Sequence, residues 1–437
     1  MLFHSTRNPD HRVSLSAAIA QGMAADGGLY VPAELPRFTA QDFDGLTDMA
    51  DIATKLIAPF AAGDALAPLL SDICRDAFNF PAPLLSLQGT PGPAAVLELF
   101  HGPTSAFKDF GARFLAASLE RIRADKSRKL TILVATSGDT GGAVAAAFHR
   151  RPWVEVGVLY PKGLVSQRQA QQLACWGDNV RTFSVQGNFD ECQRMVKEAF
   201  MDAELAKSHE LSSANSINIG RLLPQMVYYV RSALEIWRRT GKPANFIIPS
   251  GNLGNSMACI WARAMGLPIG QVILATNANR TITDFLGSGE WQPRPSIATL
   301  ASAMDVGNPS NMERLRALYK FDELRQQISA ISISDEAIRA RIRQDAVTLK
   351  QVWCPHTATA AEVYWNLPAG QQQANWVLVA TAHPAKFNDI VEPLIGTKVP
   401  VPPALAQLLS LPRHETEIEP QLAALRAQLL ASKSGAP

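Results

Sequence analysis

Two segments of the chain repeat one pattern, and that repeat limits the fold more than any other feature of the sequence. An apolar run at 130–135 leads into Ser137-Gly-Asp-Thr-Gly-Gly142 and a helical pattern at 143–150. A second run at 245–248 leads into Ser250-Gly-Asn-Leu-Gly-Asn255 and a helical pattern at 256–264. Short buried strands that pass through a glycine-rich turn into a helix belong to parallel sheets, since a parallel neighbour is reached only through a crossover. Further strands are expected at 94–99, 154–160, 180–185, 272–276 and 376–380, with a helix from about 190. The chain therefore reads as α/β, with parallel sheets flanked by helices. Residues 1 to about 90 read as mainly helical, broken by the turn Asp26-Gly27-Gly28 before a short strand at 29–31. Pro81, Pro83, Gly89 and Pro91-Gly92-Pro93 mark a boundary. Residues 300–350 read as helical, and a Pro-rich segment after 397 precedes a helix at 419–430.

Composition excludes several classes. A formal charge of +2 argues against nucleic acid or an anionic membrane as the main partner. No apolar run approaches the roughly 20 residues of a membrane helix, and no basic region followed by an apolar core marks a signal peptide. The eight histidines show no metal-ligand spacing. The five cysteines are scattered, form no CxxC, and read as buried thiols of a reducing, cytoplasmic compartment.

The chemistry concentrates in His101-Gly-Pro-Thr-Ser-Ala-Phe-Lys-Asp-Phe-Gly-Ala-Arg-Phe114. Thr104 or Ser105 is expected to cap a helix whose Phe107, Phe110 and Phe114 face the core. Asp109 and Arg113, at i and i+4, are expected to pair at the surface. Lys108 shares its face with Gly111, Ala112 and Leu115. A desolvated lysine in a first helical turn has a lowered pKa and forms Schiff bases with carbonyl groups; a surface lysine snorkelling past a core helix is the other reading. Each glycine loop offers free N–H groups at a positive helix end, which suit an anion, with Asn252 and Asn255 as further donors. Neither is a P-loop or a dinucleotide fingerprint, and two tight turns without a ligand are the alternative. Ser216, Asn218, Arg221 and Gln225 read either as a second phosphate site with a bidentate arginine or as a helix cap beside a surface arginine. Thr381 ends an apolar strand, where α/β folds gather ligand contacts, and His383 before Pro384 reads equally as a capped turn.

These stretches, in order, resemble the threonine synthases, pyridoxal-phosphate enzymes of the tryptophan-synthase-β-like fold (fold type II). The resemblance is carried by Ser5-Thr-Arg7, Gln21-Gly22, Asp26-Gly-Gly-Leu-Tyr-Val-Pro32, the stretch from His101 to Phe114, and Thr136 to Gly142. It continues through Asn215 to Gln225, Gly251 to Asn255, Met304-Asp305, Asn308-Pro-Ser-Asn-Met-Glu-Arg314, and Thr381 to Phe387. It is closest to the longer microbial and fungal branch. Leu253, where an aromatic residue is common, and Gly307-Asn308 depart from the pattern.

The resemblance implies conversion of O-phospho-L-homoserine and water to L-threonine and phosphate, the last step of threonine biosynthesis. It implies pyridoxal 5'-phosphate on Lys108, which is also the catalytic proton carrier. Gly251, Asn252, Leu253, Gly254 and Asn255 would cradle the cofactor phosphate, with Thr381 at the pyridine nitrogen and Asp139 near the ring hydroxyl. Ser137 and Thr140 would meet the substrate carboxylate, and Ser216, Asn218 and Arg221 its phosphate. The implied domains are a threonine-synthase-type N-terminal domain at 1–92, a large cofactor domain at 93–127 and 211–396, a small α/β domain at 128–210 closing over substrate, and a tail with a helix at 397–437. The expected partner is the small-molecule substrate, with no nucleic acid or membrane, in a monomer or small homo-oligomer. The rivals are a serine/threonine dehydratase or cysteine-synthase-like enzyme of the same fold, and a catalytically silent homologue that binds phosphate ligands.

Overall fold

A computed structural model describes residues 1–123 and 129–431; the domain boundary expected at 127/128 and the end of the tail at 432–437 lie outside the described residues. Two parallel sheets carry the molecule. One has six strands in the order Ile328–Ser332, Ile269–Thr276, Ala244–Pro249, Trp376–Ala380, Ala94–Glu98, Leu84–Ser86, parallel except for the last pair. The other has five, all parallel: Glu415–Ile418, Val180–Val185, Val154–Pro161, Leu130–Ala135, Glu210–Ser213. The central strands Leu130–Ala135, Ala244–Pro249 and Trp376–Ala380 are buried nearly throughout, with helices on both faces, which is why they read as apolar runs broken only by Thr131 and Asn245. The protein is a mixed α/β protein, as the two strand–loop–helix units imply.

A third, antiparallel sheet of Arg12–Val13, Phe3–Ser5 and Tyr30–Pro32 opens the chain. Behind it the helix Met49–Ala61, capped by the Asp48 carboxylate on the Ala50 and Asp51 N–H groups, packs on Leu70–Ala77 and on Met226–Thr240. The helix Lys108–Ile122 is sandwiched between Leu70–Ala77, Asp139–Phe148 and Ile219–Leu222, so one rod touches both the N-terminal unit and the small-sheet unit. Its Phe110 and Phe114 are fully buried, while Phe107 is only partly covered.

The structure corrects several expectations. The helix begins at Lys108 with no side-chain cap, because the Thr104 N–H and hydroxyl both donate instead to the buried Asp109 carboxylate, at 2.9 and 2.7 Å. Asp109 and Arg113 therefore do not pair at the surface; Arg113 donates to the Asp76 carbonyl. The region 300–350 is mainly helical, with connecting loops and the edge strand Ile328–Ser332. The segment after 397 adds the strand Glu415–Ile418 to the five-stranded sheet, and its helix runs Leu422–Ala431. Among the described residues, no helix is long and apolar enough to cross a membrane.

Candidate active site

The residues that follow the strands Leu130–Ala135, Ala244–Pro249 and Trp376–Ala380 line one cavity of about 470 Å³. Lys108 reaches it from the start of its helix, half-buried, with its amine 5.8 Å from the Phe107 ring centre. The approach to Lys108 is pinned: Ala106 bridges Ala382, the Phe107 N–H donates to the Thr381 carbonyl at 2.9 Å, and the His383 N–H donates to the Ser105 carbonyl. Ser105 holds φ +55°, a left-handed conformation that costs a non-glycine residue about 1 kcal/mol or more. Desolvation lowers the Lys108 pKa to about 8; Asp139 opposes the shift, and Arg221 and Lys386 add to it. At pH 7 roughly one amine in ten is then neutral, against about one in three thousand for an ordinary lysine.

The loop from Gly251 to Asn255 wraps the cavity at the N-terminus of the helix Gly254–Ala264. Leu253 there is left-handed, at φ +63°. Among the described residues, the backbone N–H groups of Gly251, Asn252, Leu253, Gly254 and Asn255 donate to no acceptor. Consecutive free N–H groups through a left-handed residue into a helix make a concave anion site. The two asparagine amides, expected to add donors, are spent within the wall. Asn252 donates to Ser216 Oγ at 2.8 Å and accepts from the Ser310 N–H. Asn255 donates to the Pro249 carbonyl and accepts from the Ser256 N–H. Gly251 is glycine for a reason the sequence did not show: a Cβ there would lie 2.7 Å from the Met304 backbone. A Cβ on Gly254 would meet protein atoms only at 3.7 Å and beyond.

The second loop mirrors the first. Ser137, Asp139 and Thr140 line the cavity, and among the described residues their N–H groups also lack acceptors. Thr136 braces this loop, its hydroxyl accepting from the Gly138 and Gly141 N–H groups. Asp139 is buried and ion-paired to Lys386 at 2.7 Å. Burial alone would raise its pKa, but Lys386 and Lys108 outweigh that and hold it well below the usual carboxylate range.

Arg221 is 2% exposed and lines the cavity. It donates to the Ala214 carbonyl at 2.6 Å, yet its Nε is buried without a partner, and among the described residues no carboxylate bonds to it. A buried guanidinium without an acid is costly unless an anion completes it. Desolvation lowers its pKa to about 10, so it stays charged. Ser216 lines the same wall. Asn218 does not, and its assignment is corrected: it caps the helix Ile219–Leu222 through the Gly220 N–H at 2.8 Å and donates to the Ile19 carbonyl at 2.9 Å. Thr381 is buried and lines the cavity, while His383 caps the turn Pro384–Phe387.

The sequence reading missed three neighbours. Gln169 donates to Asp139 at 3.2 Å. His356 lines the cavity, accepts from the Ala303 N–H at 3.0 Å, and is pushed down to about 4 by burial, so it is neutral at pH 7. Neither carries a local signal. Lys386 does, lying five residues after Thr381 within one matching stretch.

Comparison with known proteins agrees with this geometry. Residues 79–382 match the family described as pyridoxal-phosphate dependent enzyme, residues 2–78 the threonine synthase N terminus, and residues 357–429 the threonine synthase C-terminal region. The threonine synthase of Escherichia coli K12 is 38% identical over 98% of this chain and 99% of its own, and that of Saccharomyces cerevisiae 31% over 89% and 88%. Among solved structures, the PLP-bound threonine synthase of Brucella melitensis superposes with a TM-score of 0.90 at 33% identity, covering all of both chains. The yeast enzyme superposes with a TM-score of 0.91 at 28% identity, over 100% of this chain and 99% of its own. Maize serine racemase, at 16% identity and a TM-score of 0.53, is alike in fold alone. A chain with these two glycine cradles, this unpaired amine and full-length matches of this kind belongs to the threonine synthases, pyridoxal-phosphate-dependent enzymes of fold type II.

Proposed function

We propose that the chain converts O-phospho-L-homoserine and water to L-threonine and phosphate, with Lys108 as its reactive amine. The observation that carries this reading is the convergence, in one cavity, of an amine depressed to about 8, two sets of free helix-start N–H groups and a buried guanidinium without an acid. The residues fit pyridoxal 5'-phosphate. The free N–H groups of Gly251 to Asn255 suit its phosphate, and Lys108 suits its aldehyde. Thr381 offers an uncharged hydroxyl to its ring nitrogen, and Asp139 is a neighbour for its ring hydroxyl. When bound, the cofactor supplies an electron sink for charge that develops on the substrate carbons.

The chain's own residues do the rest. The Lys108 amine, neutral in a usable fraction, takes the proton from the substrate Cα and then one from Cβ as phosphate leaves from Cγ, and returns protons at Cγ and finally at Cα, the hydroxyl at Cβ coming from water. The free N–H groups and hydroxyls of Ser137 and Thr140 hold the substrate carboxylate. Arg221 and Ser216 hold the phosphate that leaves from Cγ, before water adds at Cβ. A neutral threonine at the ring nitrogen withdraws fewer electrons than an acid, so the polar cradle must carry more of the developing charge. The match of residues 2–78 supports this over a dehydratase. Five buried free cysteines fit a reducing, cytoplasmic setting.

Phosphate release measured on O-phospho-L-homoserine, with phosphoserine alongside, tests the proposal. Threonine and phosphate should form in equal amounts from the first substrate only, and Lys108→Ala should abolish both. Turnover of phosphoserine alone, or an active Lys108→Ala, would refute it.

A further inference from the structure

Two lysines act on this cavity, and among the described residues only Lys386 is hydrogen-bonded through its amine. Lys386 is 1% exposed; its Nζ donates to the Thr104 carbonyl at 2.8 Å and to Asp139 at 2.7 Å. It sits on the turn Pro384–Phe387, which follows the six-stranded sheet, whereas Asp139 starts the helix that follows a strand of the five-stranded sheet. The ion pair therefore spans the two sheets. Polar contacts surround it: Ser166 donates to the Lys386 carbonyl at 3.1 Å, Arg168 to the Ala385 carbonyl, and Gln172 to the Thr104 carbonyl at 3.1 Å. Thr104 lies four residues before Lys108, so the same ammonium holds both the entry to the reactive amine and the carboxylate that faces it.

We propose that Lys386 is a positioning residue of this site: it occupies Asp139 from the opposite sheet and fixes the Thr104 turn, so that Asp139 is not free to pair with the Lys108 amine. The charged groups acting on Lys108 are Asp139, Arg221 and Lys386, and neutral His356 lies on the same wall. Without Lys386, Asp139 keeps one strong cation within reach, Lys108. The attraction is then uncompensated, the Lys386 repulsion is gone, and both changes favour the protonated amine. The inference rests on the reading of Lys108 as the reactive amine.

The test is the pH dependence of pyridoxal 5'-phosphate incorporation into the cofactor-free full-length chain, trapped with borohydride and mapped to a peptide. In wild type the label should fall on Lys108, with a midpoint near pH 8. Lys386→Met should move the midpoint up by about one unit and slow incorporation at pH 7 roughly tenfold. Lys386→Arg should recover most of the rate, and adding Asp139→Asn to Lys386→Met should bring the midpoint back to the wild-type value or below. Asp139→Asn alone should lower it, which keeps the test open if Lys386→Met does not fold. Label on Lys108 with an unmoved midpoint in these variants overturns this inference alone. Label on another lysine in wild type overturns the reading of Lys108 and this inference with it.

Discussion

Arg221 and Asn218 lie three positions apart in one polar segment, and nothing in that segment tells them apart. Their surroundings do. The Asn218 amide is consumed by the Gly220 N–H and by the carbonyl of Ile19, a partner 199 residues away that no local pattern reveals. The Arg221 guanidinium keeps an unsatisfied Nε, and its backbone and Nε press on Gly111, where a Cβ would lie 2.8 Å from the Arg221 carbonyl. The two residues should therefore fail differently. Arg221→Ala should leave cofactor content unchanged and lower kcat/KM on O-phospho-L-homoserine roughly 30-fold or more, the loss of about 2 kcal/mol from a desolvated charge-assisted contact. Arg221→Lys should recover only part of it, because a point charge does not reproduce the planar fork. Asn218→Ala should cost about 1 kcal/mol of stability as a lost cap, with kcat/KM little changed. Steady-state kinetics and denaturant titration on the three variants check this; an Arg221→Ala enzyme with wild-type kcat/KM would put the substrate phosphate elsewhere.

Among the elements, those that were legible and those that were not divide by position in the sheets. Ala244–Pro249 and Trp376–Ala380 are buried at every residue, so apart from Asn245 their sequence is apolar. Leu84–Ser86, Glu210–Ser213, Ile328–Ser332 and Glu415–Ile418 were missed, and all four are edge strands with exposed or half-buried polar residues. The glycine loop was legible as an anion cradle, but the division of labour within it was not. Gly251 is required by the Met304 backbone, the left-handed position belongs to Leu253, and a Cβ on Gly254 would make only ordinary contacts with protein atoms. That asymmetry gives a test of the cradle. Gly254→Ala meets no protein atom closer than 3.7 Å, so the cofactor-free chain should melt as wild type does, while its affinity for pyridoxal 5'-phosphate should fall at least tenfold. Gly251→Ala should instead lower stability with or without cofactor. Equal cofactor affinity in Gly254→Ala and wild type would mean that the anion sits elsewhere.

At the scale of the whole molecule, motifs far apart in the chain were visible as sequence but not as neighbours. Arg7 forms an ion pair with Glu313 at 3.0 Å, and the Thr6 hydroxyl reaches the same carboxylate at 2.5 Å. Arg314, fully buried, donates to the carbonyls of Tyr30 and Ile217 and to Asn311, whose amide holds the Asn252 carbonyl at 2.9 Å. The N-terminal sheet, the phosphate-site segment and the glycine cradle thus share one guanidinium, at contact distances no single-sequence pattern encodes. Arg314→Met should strand three buried acceptors, cost about 3–5 kcal/mol, and weaken cofactor binding in the fraction that folds. Chemical denaturation with a cofactor titration would show it; a loss below about 1 kcal/mol would mean that these bonds are replaceable. The strand Glu415–Ile418 sets a clock on synthesis. Among the described residues it is the only partner on the outer side of Val180–Val185, and it is synthesised after the other four strands of that sheet. At ~5–20 residues per second, the Val180–Val185 edge waits about 10–50 s with its hydrogen-bonding groups open before its neighbour exists. The nascent chain is most vulnerable to mispairing at that edge, and a ribosome stalled late in the message would release a chain whose small sheet is still adhesive.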